Sequence, residues 1–254
     1  LSKRKEGLTN KIAKYLEKCG HSVGIFLEAD LIIDNNLLNY DFYILKSKQL
    51  IYLYAAYFLE ANGVKVIPDT ESSHLYKNRI ESYFSLQKYG FLTPKVFIGT
   101  FKSIKTQLVG SEYPLVQKPI MSSGSLDVHI INSLNDLYPI SSEIIYVEKY
   151  IDGKHYLVYF IDEEICICEK KPLANEHEIV IDIPDDSEIK ELTLEWKRKS
   201  NLLFGHLDLI REYNSKRLYI VDVGTFPEFS NWHGNANPVK SISDLILKNY
   251  YINR

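Results

Sequence analysis

Hydrophobic and polar positions follow two different periods in the first third of the chain. A helical period predicts helices at Thr9 to Lys18 and at Leu50 to Leu59, and short apolar runs between and after them predict strands. Strands that alternate with helices are typical of a small parallel sheet flanked by helices. The predicted strands are His21 to Phe26, Asp41 to Leu45 and Val64 to Ile67.

The middle of the chain has a denser succession of short β-rich runs. A helix is predicted from Asn78 to Tyr89, because Gly90 and Pro94 follow it and prevent its continuation. Further helices are predicted at Leu134 to Tyr138 and at Asp185 to Ser200. An α/β unit is therefore followed by a mixed α+β unit. The strands predicted in the second unit are Val96 to Gly99, Leu115 to Pro119, Val128 to Ile131, Ile144 to Tyr150, Tyr156 to Ile161, Ile165 to Glu169 and Glu178 to Ile183.

Two neighbouring apolar segments, HLDLIREYNSKRLYIVDV, predict a hairpin that carries one acid on each strand. A three-residue turn at Asn214 to Lys216 would place Asp208 opposite Asp222, whereas a two-residue turn would put the acids on opposite faces. Like charges directly across a ladder repel each other, so we interpret the pair as a cation site. Two unrelated acids on a solvated hairpin are the alternative.

Size and charge restrict the function. A chain of 254 residues with 45% hydrophobic residues buries a substantial core and is expected to form two or three subdomains. With a net charge of -3 it has no general basic field for nucleic acid or an anionic membrane, so an anionic ligand must be held by a local cluster. The longest apolar run, Leu50 to Leu59, is too short to span a bilayer and is predicted to be a buried core helix.

The three cysteines indicate a reducing compartment. Cys19 is distant in sequence, and Cys166 and Cys168 would lie on one face of a strand, too widely spaced for an easy disulfide. We therefore predict a cytoplasmic protein. No signal peptide is recognisable, and a chain that begins at Leu1 instead of Met is expected to lack a few residues of its first strand.

Two strand ends have the composition of a nucleotide site. Lys118 ends one predicted strand, and the small residues Ser122 to Ser125 that follow can offer N–H and hydroxyl groups to phosphate oxygens. The strand end IIYVEKYIDG can border a planar ring, with Tyr150 and Ile151 as apolar walls. Lys170 follows the next β-rich run as a second basic point. A surface loop, an edge strand and a solvated charge run are the alternatives for these three segments.

The order of five segments resembles the ATP-grasp superfamily. These segments are NRIESYFSLQKYGFLTP, YPLVQKP with its small-residue loop, YVEKYIDG, GHLDLI and YIVDVGTFPEF. The chain is most similar to the branch of amino-acid and peptide ligases, and the resemblance covers nearly the whole chain. It implies an ATP-grasp fold of α/β and α+β parts, with a small parallel-sheet domain at 1–75 ahead of an ATP-grasp domain at 76–254. Within the latter, 76–150 would form the nucleotide lid and 151–254 the metal and substrate subdomain.

The resemblance also implies ATP and Mg²⁺ as cofactors. Arg79 takes a position where many members carry a phosphate-contacting lysine, Lys118 matches the second nucleotide lysine, and Lys170 matches a basic residue near the γ-phosphate. These three charges are the candidate catalytic residues. The candidate nucleotide-binding residues are Arg79, Lys118, Ser123, Gly124, Glu148, Lys149, Tyr150, Ile151 and Lys170, and the candidate metal ligands are Asp208 and Asp222.

The chain departs from the family pattern at two positions. Gly224 stands where the family usually has an Asn two residues after its second acid, and it has no side chain to bind a metal. Glu228, Asn231 or water are the candidate replacements, and loss of the second metal is the alternative. Tyr156 stands where relatives often have a basic residue that faces the phosphates.

The implied activity is an ATP-dependent ligase that joins a carboxylate to an amine through an acyl phosphate. Its substrates would be small-molecule or peptide carboxylates and amines, and the loop Phe229 to Pro238 would contribute to their selection. A polyol or inositol-phosphate kinase is the second hypothesis, because Asn78, Arg79 and VDVGTFP resemble that branch. A nucleotide-binding protein with little catalysis is the third. Association of identical chains is left open. No role is assigned to His155, His206 and His233.

Overall fold

The computed structural model describes residues 1–2, 6–47, 49–121, 128–139, 144–171, 179–183 and 185–252. Ser123 and Gly124 lie outside the described residues. The helices are α1 (Leu8–Lys18), α2 (Leu50–Ala61), α3 (Thr70–Leu75), α4 (Arg79–Lys88), α5 (Phe101–Gln107), α6 (Ser187–Ser200) and α7 (Pro238–Ile252). The strands are β1 (Phe42–Ile44), β2 (Lys65–Ile67), β3 (Val96–Thr100), β4 (Leu115–Lys118), β5 (His129–Ile131), β6 (Ile144–Lys149), β7 (Gly153–Ile161), β8 (Glu164–Lys170), β9 (Ile179–Ile183), β10 (Phe204–Glu212) and β11 (Leu218–Gly224).

The first sheet is small and parallel, as predicted. β1 pairs with β2, and α2 packs beside them in a core that includes Tyr52, Leu59 and Val66. The predicted strand at His21 to Phe26 is wrong. That segment has no regular secondary structure. Phe26 accepts one backbone bond, from the Ser2 N–H at 3.2 Å, and Gly24 lies against the side chain of Tyr40.

The second sheet is antiparallel with the strand order β3-β6-β4-β5. One face packs on α5 through Ile104, Leu108 and Val147. The predicted helix at Leu134 to Tyr138 is wrong, since only a single 3₁₀ turn forms, at Leu134–Asp136. The Gln117 side chain bonds both the N–H and the carbonyl of Tyr138, and this holds the backbone out of a helix.

The third sheet is antiparallel with the strand order β11-β10-β7-β8-β9 and lies between two helical layers. On one face α6 inserts Ile189 and Trp196 into the core. On the other face α1 and α7 pack together through residues such as Ile12 and Ile242. No helix among the described residues combines the length and the apolar character that crossing a membrane requires.

The β10–β11 hairpin pairs its two acids through a turn length and a β-bulge that the sequence did not predict. Glu212 N–H donates to the Arg217 carbonyl, so the turn has four residues instead of three. A regular ladder from this turn would set Asp208 opposite Val221. Val221 is skipped in a β-bulge, and Asp222 takes the place opposite Asp208. The predicted pairing is confirmed, although the predicted turn is wrong.

Candidate functional site

The two acids at the centre of the site are held by cationic side chains. Asp208 and Asp222 are direct cross-strand partners, which places their Cβ atoms about 5 Å apart. Lys170 Nζ lies 2.8 Å from Asp208 Oδ1, and Arg79 Nη2 lies 3.4 Å from Asp222 Oδ2. The predicted metal ligands and two of the predicted phosphate contacts therefore lie together.

Arg79 begins α4 and connects the two antiparallel sheets. Its backbone N–H donates to the Ile120 carbonyl at 2.9 Å, and its guanidinium donates to the Pro119 carbonyl. The buried Arg79 Nε has no hydrogen-bond partner among the described residues. Since an unsatisfied buried donor is costly, this N–H is available to an anionic ligand.

Lys118, at the end of β4, reaches the backbone beside Asp222. Its Nζ lies 2.5 Å from Glu148 Oε1 and donates to the Val221 carbonyl at 3.3 Å. Glu148 is 3% exposed and accepts a second bond from the Tyr146 hydroxyl at 3.2 Å. Burial, and next the Glu148 charge, raise the pKa of Tyr146 and keep it protonated. Val221, the residue skipped in the bulge, thus links Lys118 of the second sheet to the strand of the third sheet that carries Asp222.

His155 belongs to this cluster, and the sequence analysis missed it. His155 pairs with Lys170 across β7 and β8 and is 7% exposed. Burial first, and then the charges of Lys170 and Lys118, lower its pKa from 6.5 to about 4 against the opposing effect of Asp208. Its Nε2 is buried and has no hydrogen-bond partner among the described residues. Counting back from the two-residue β7–β8 turn would have placed it beside Lys170.

Tyr156 points the other way. It lies on the sheet face that packs against α6, in the core that contains Trp196. Because side chains alternate along a strand, its neighbour His155 is the residue that faces the charged cluster. Although Tyr156 replaces the basic residue of the family pattern, the site is not apolar here, because His155 lies on that face.

Gly224 is explained by close packing. A Cβ at Gly224 would lie 2.1 Å from the His206 ring, because His206 is its direct cross-strand partner. Both proposed replacement side chains have partners elsewhere. Glu228 pairs with Lys46 at 2.7 Å and accepts from the Leu8 N–H, and the Asn231 amide contacts Ser230.

The predicted adenine hinge is partly occupied by the protein itself. Lys149 N–H donates to the Lys95 carbonyl at 2.8 Å, and Tyr150 N–H donates to the Pro114 carbonyl at 3.4 Å. The Lys149 side chain is exposed and lies 3.6 Å from Glu112. Ile151 is buried, as a wall residue would be. The nucleotide roles of these residues stay predictions.

The donor set fits Mg²⁺. Carboxylate oxygens are the ligands that this ion prefers, and Asp208 and Asp222 present them on one face. In the described part of the cluster, three cations (Arg79, Lys118 and Lys170) face three carboxylates, since Glu148 joins the two aspartates.

Comparisons with known proteins agree with this architecture. No protein-family model matches the chain. The D-alanine–D-alanine ligase of Wolbachia pipientis wMel is 26% identical over 198 residues, which cover 68% of this chain and 62% of that ligase. A RimK domain ATP-grasp protein from Sphaerobacter thermophilus DSM 20745 superposes with a TM-score of 0.77 over 97% of this chain and 98% of its own, at 12% identity. The chain has the ATP-grasp fold.

A further ATP-grasp structure has been determined with ligands. The ATP-grasp ligase PsnB, in complex with its minimal precursor, Mg and ADP, has a TM-score of 0.65 and 13% identity, and the match covers 96% of this chain and 95% of PsnB. The predicted ATP-grasp fold, preceded by a small parallel sheet, is thus confirmed.

Proposed function

We propose that the chain is an ATP- and Mg²⁺-dependent ligase that joins a carboxylate to an amine through an acyl phosphate. The observation that carries this proposal is the cluster between two antiparallel sheets in which Asp208 pairs with Lys170 and Asp222 with Arg79. Lys118 joins it through the backbone carbonyl next to Asp222. The similarity to a D-alanine–D-alanine ligase supports a carboxylate and an amine as substrates, either small molecules or peptides.

The balance of charge in the cluster supports a metal–nucleotide complex. Its cations are already matched by carboxylates, so a triphosphate alone would add uncompensated negative charge. Asp208 and Asp222 would hold Mg²⁺, which neutralises phosphate oxygens when it is bound. Arg79, Lys118 and Lys170 would then be released toward the phosphates as point charges or hydrogen-bond donors.

The chain's own residues would mainly position the reacting groups and neutralise their negative charge. Transfer of the γ-phosphoryl group to a carboxylate needs stabilisation of charge on the transferred oxygens, and Lys170 and Arg79 stand closest to the acid pair. The neutral His155 would offer Nε2 to a bound ligand at the same edge. We further propose the division into 1–75, 76–150 and 151–254, with the nucleotide between the last two parts.

The kinase hypothesis receives less support. A polyphosphate acceptor requires a strongly basic cleft, whereas the cations described here are paired with carboxylates. The ligase is the function that we carry forward.

The test is ADP release by the purified chain with Mg²⁺, ATP and a panel of amino acids, peptides and polyols, with product masses determined. We expect an amide product and its dependence on Asp208 and Asp222. The Asp208→Asn and Asp222→Asn variants should lose at least about 100-fold in turnover, a typical loss for an electrostatic group at a reacting centre. Asp30→Asn, at an exposed position, is the matched control.

Either of two results would reject the ligase. One is a phosphorylated polyol as the product, and the other is ADP release that is unchanged in both aspartate variants.

A further inference from the structure

A second cluster of metal-ligating atoms lies on the same sheet face, farther along β8. Cys166 and Cys168 point toward α1 and α7, and the loop after β11 folds over them with His233 and Asn231. Both cysteines are buried, and His233 is exposed. The two sulfurs and an imidazole nitrogen lie within 4.8 Å of one another.

Four donor atoms in this cluster lie at spacings close to those within a tetrahedral metal site. His233 Nδ1 lies 3.0 Å from Cys166 Sγ and 3.7 Å from Cys168 Sγ. The Asn231 carbonyl oxygen lies 3.7 and 3.6 Å from these sulfurs and 3.3 Å from His233 Nδ1. Zinc bonds of about 2.3 Å to sulfur and about 2.0 Å to nitrogen or oxygen separate tetrahedral ligands by roughly 3.3–3.8 Å.

We propose that Cys166, Cys168 and His233 bind one Zn²⁺, with the Asn231 carbonyl in the fourth position. Thiolates and imidazole are soft or borderline ligands that favour zinc over Mg²⁺, so this site and the aspartate pair select different ions. The backbone N–H of His233 also donates to Cys166 Sγ at 3.4 Å. A hydrogen bond to sulfur stabilises the thiolate that zinc requires. The exposed His233 gives the ion a path of entry.

Zinc at this position would fix the loop after β11 to the sheet. The loop carries Trp232, whose indole N–H donates to the Ala236 carbonyl at 2.9 Å, and Ala236 N–H donates to Glu164 of β8 at 3.1 Å. Lys170 follows Cys168 by two positions on the same strand face, about 7 Å away. The zinc site therefore borders the charged cluster without sharing a ligand with it.

The experiment uses the full chain, reduced and stripped of metal with a chelator, and titrated with Co²⁺ and then Zn²⁺. We expect one equivalent of Co²⁺ to give a thiolate-to-metal charge-transfer band that Zn²⁺ abolishes. Calorimetry in buffers of different protonation enthalpy should show proton release on Zn²⁺ binding, because thiols bind as thiolates. Hydrogen exchange in residues 229–236 should slow when zinc is bound.

Variants separate this site from any other. His233→Ala and Cys166→Ser should each weaken Zn²⁺ binding by more than about 100-fold, since even the outer partners of metal ligands contribute about 10- to 100-fold. Cys19→Ser, which changes an exposed cysteine, and Asp208→Asn should leave the charge-transfer band and its loss on addition of Zn²⁺ unchanged. If Cys166→Ser fails to fold, His233→Ala still tests the zinc site, because His233 is exposed and its loss is not expected to prevent folding.

The proposal is overturned if Co²⁺ binds without the charge-transfer band, or if Zn²⁺ affinity is unchanged in His233→Ala. It is independent of the proposed function, since the titration contains neither nucleotide nor amine.

Discussion

At the scale of single residues, Lys118 contributes to the fold as well as to the site. It is 8% exposed, and its ion pair with Glu148 is buried. Lys118→Met leaves Glu148 buried without its counter-charge and should cost about 3–5 kcal/mol of unfolding free energy. The double variant Lys118→Met/Glu148→Gln should recover most of that stability but not the affinity for Mg²⁺-ATP. Urea unfolding and calorimetry measure the two effects, and equal stability of Lys118→Met and the parent would contradict the buried pair.

His155 predicts a pH dependence of stability. Because burial lowers its pKa from 6.5 to about 4, the unfolded state binds the proton more readily between these values. Stability contributed by neutral His155 is complete above pH 6.5 and is lost as the pH falls toward 4, by about 3 kcal/mol in total. Urea unfolding in a chelator should therefore show a flatter pH profile for His155→Gln than for the parent.

Exposed His129 supplies the control for that experiment. His129→Gln should follow the parent profile, which includes the carboxylates that titrate in the same range. Parallel profiles for His155→Gln and the parent would show that His155 is accessible to protons in the folded state.

Gly224 predicts a steric effect. An Asn at this position meets the His206 ring, so Gly224→Asn should destabilise the chain by about 1–3 kcal/mol and lower Mg²⁺-dependent turnover. Adding His206→Ser removes the obstruction and should restore stability. If Gly224→Asn alone raises turnover, the ring moves aside easily and the position accepts an additional metal ligand.

At the scale of elements, α1 depends on a distant carboxylate. Its N-cap residue, Gly7, has no side chain, and Glu228 accepts from Leu8 N–H at 3.2 Å in its place. Glu228→Ala should cost about 1 kcal/mol, the usual effect of losing a cap, and should leave Mg²⁺ dependence unchanged. Glu228→Gln keeps an acceptor and should cost less. A strong loss of Mg²⁺ dependence in Glu228→Ala would instead make Glu228 a metal ligand.

Periodicity predicted most elements of the second unit, because helices and strands with one buried face carry their own signal. The helix at Asn78 to Tyr89 formed as α4, with Asn78 as its N-cap. The bulge at Val221 was not predictable, since a valine fits either register. Helices α5 and α7 were not predicted, although α7 has 15 residues and places Ile242 and Ile246 on one buried face.

The site was predictable where its residues sit on strands at countable distances. Asp208 and Asp222 were paired from the hairpin alone, and Lys118 was placed at its strand end. The zinc cluster was not predictable from the sequence, because His233 lies in a loop 67 positions after Cys166. The position of that loop depends on tertiary packing, to which local sequence gives no guide.

At the scale of the whole molecule, the pairing of charges across the two sheets predicts metal-dependent stabilisation by ATP. Mg²⁺-ATP at 100 times its dissociation constant should add about 2.7 kcal/mol to the unfolding free energy, and ATP with a chelator should add much less. Thermal unfolding with and without Mg²⁺ measures the difference. The double variant Asp208→Asn/Asp222→Asn should abolish it, and equal shifts in both conditions would remove the acid pair from the nucleotide site.

The packing of α1 against α7 has a consequence for synthesis. Tyr15 donates to Asp244, 229 positions later, and the apolar residues Leu8 and Ile12 meet Ile242 and Ile246. At about 5–20 residues per second, the ribosome needs roughly ten to fifty seconds to produce the chain between these partners. Throughout that time the apolar side of α1 lacks its final partner, α7. Helix α1 is thus made long before its native surroundings are complete, and a chaperone that shields α1 would act during this interval.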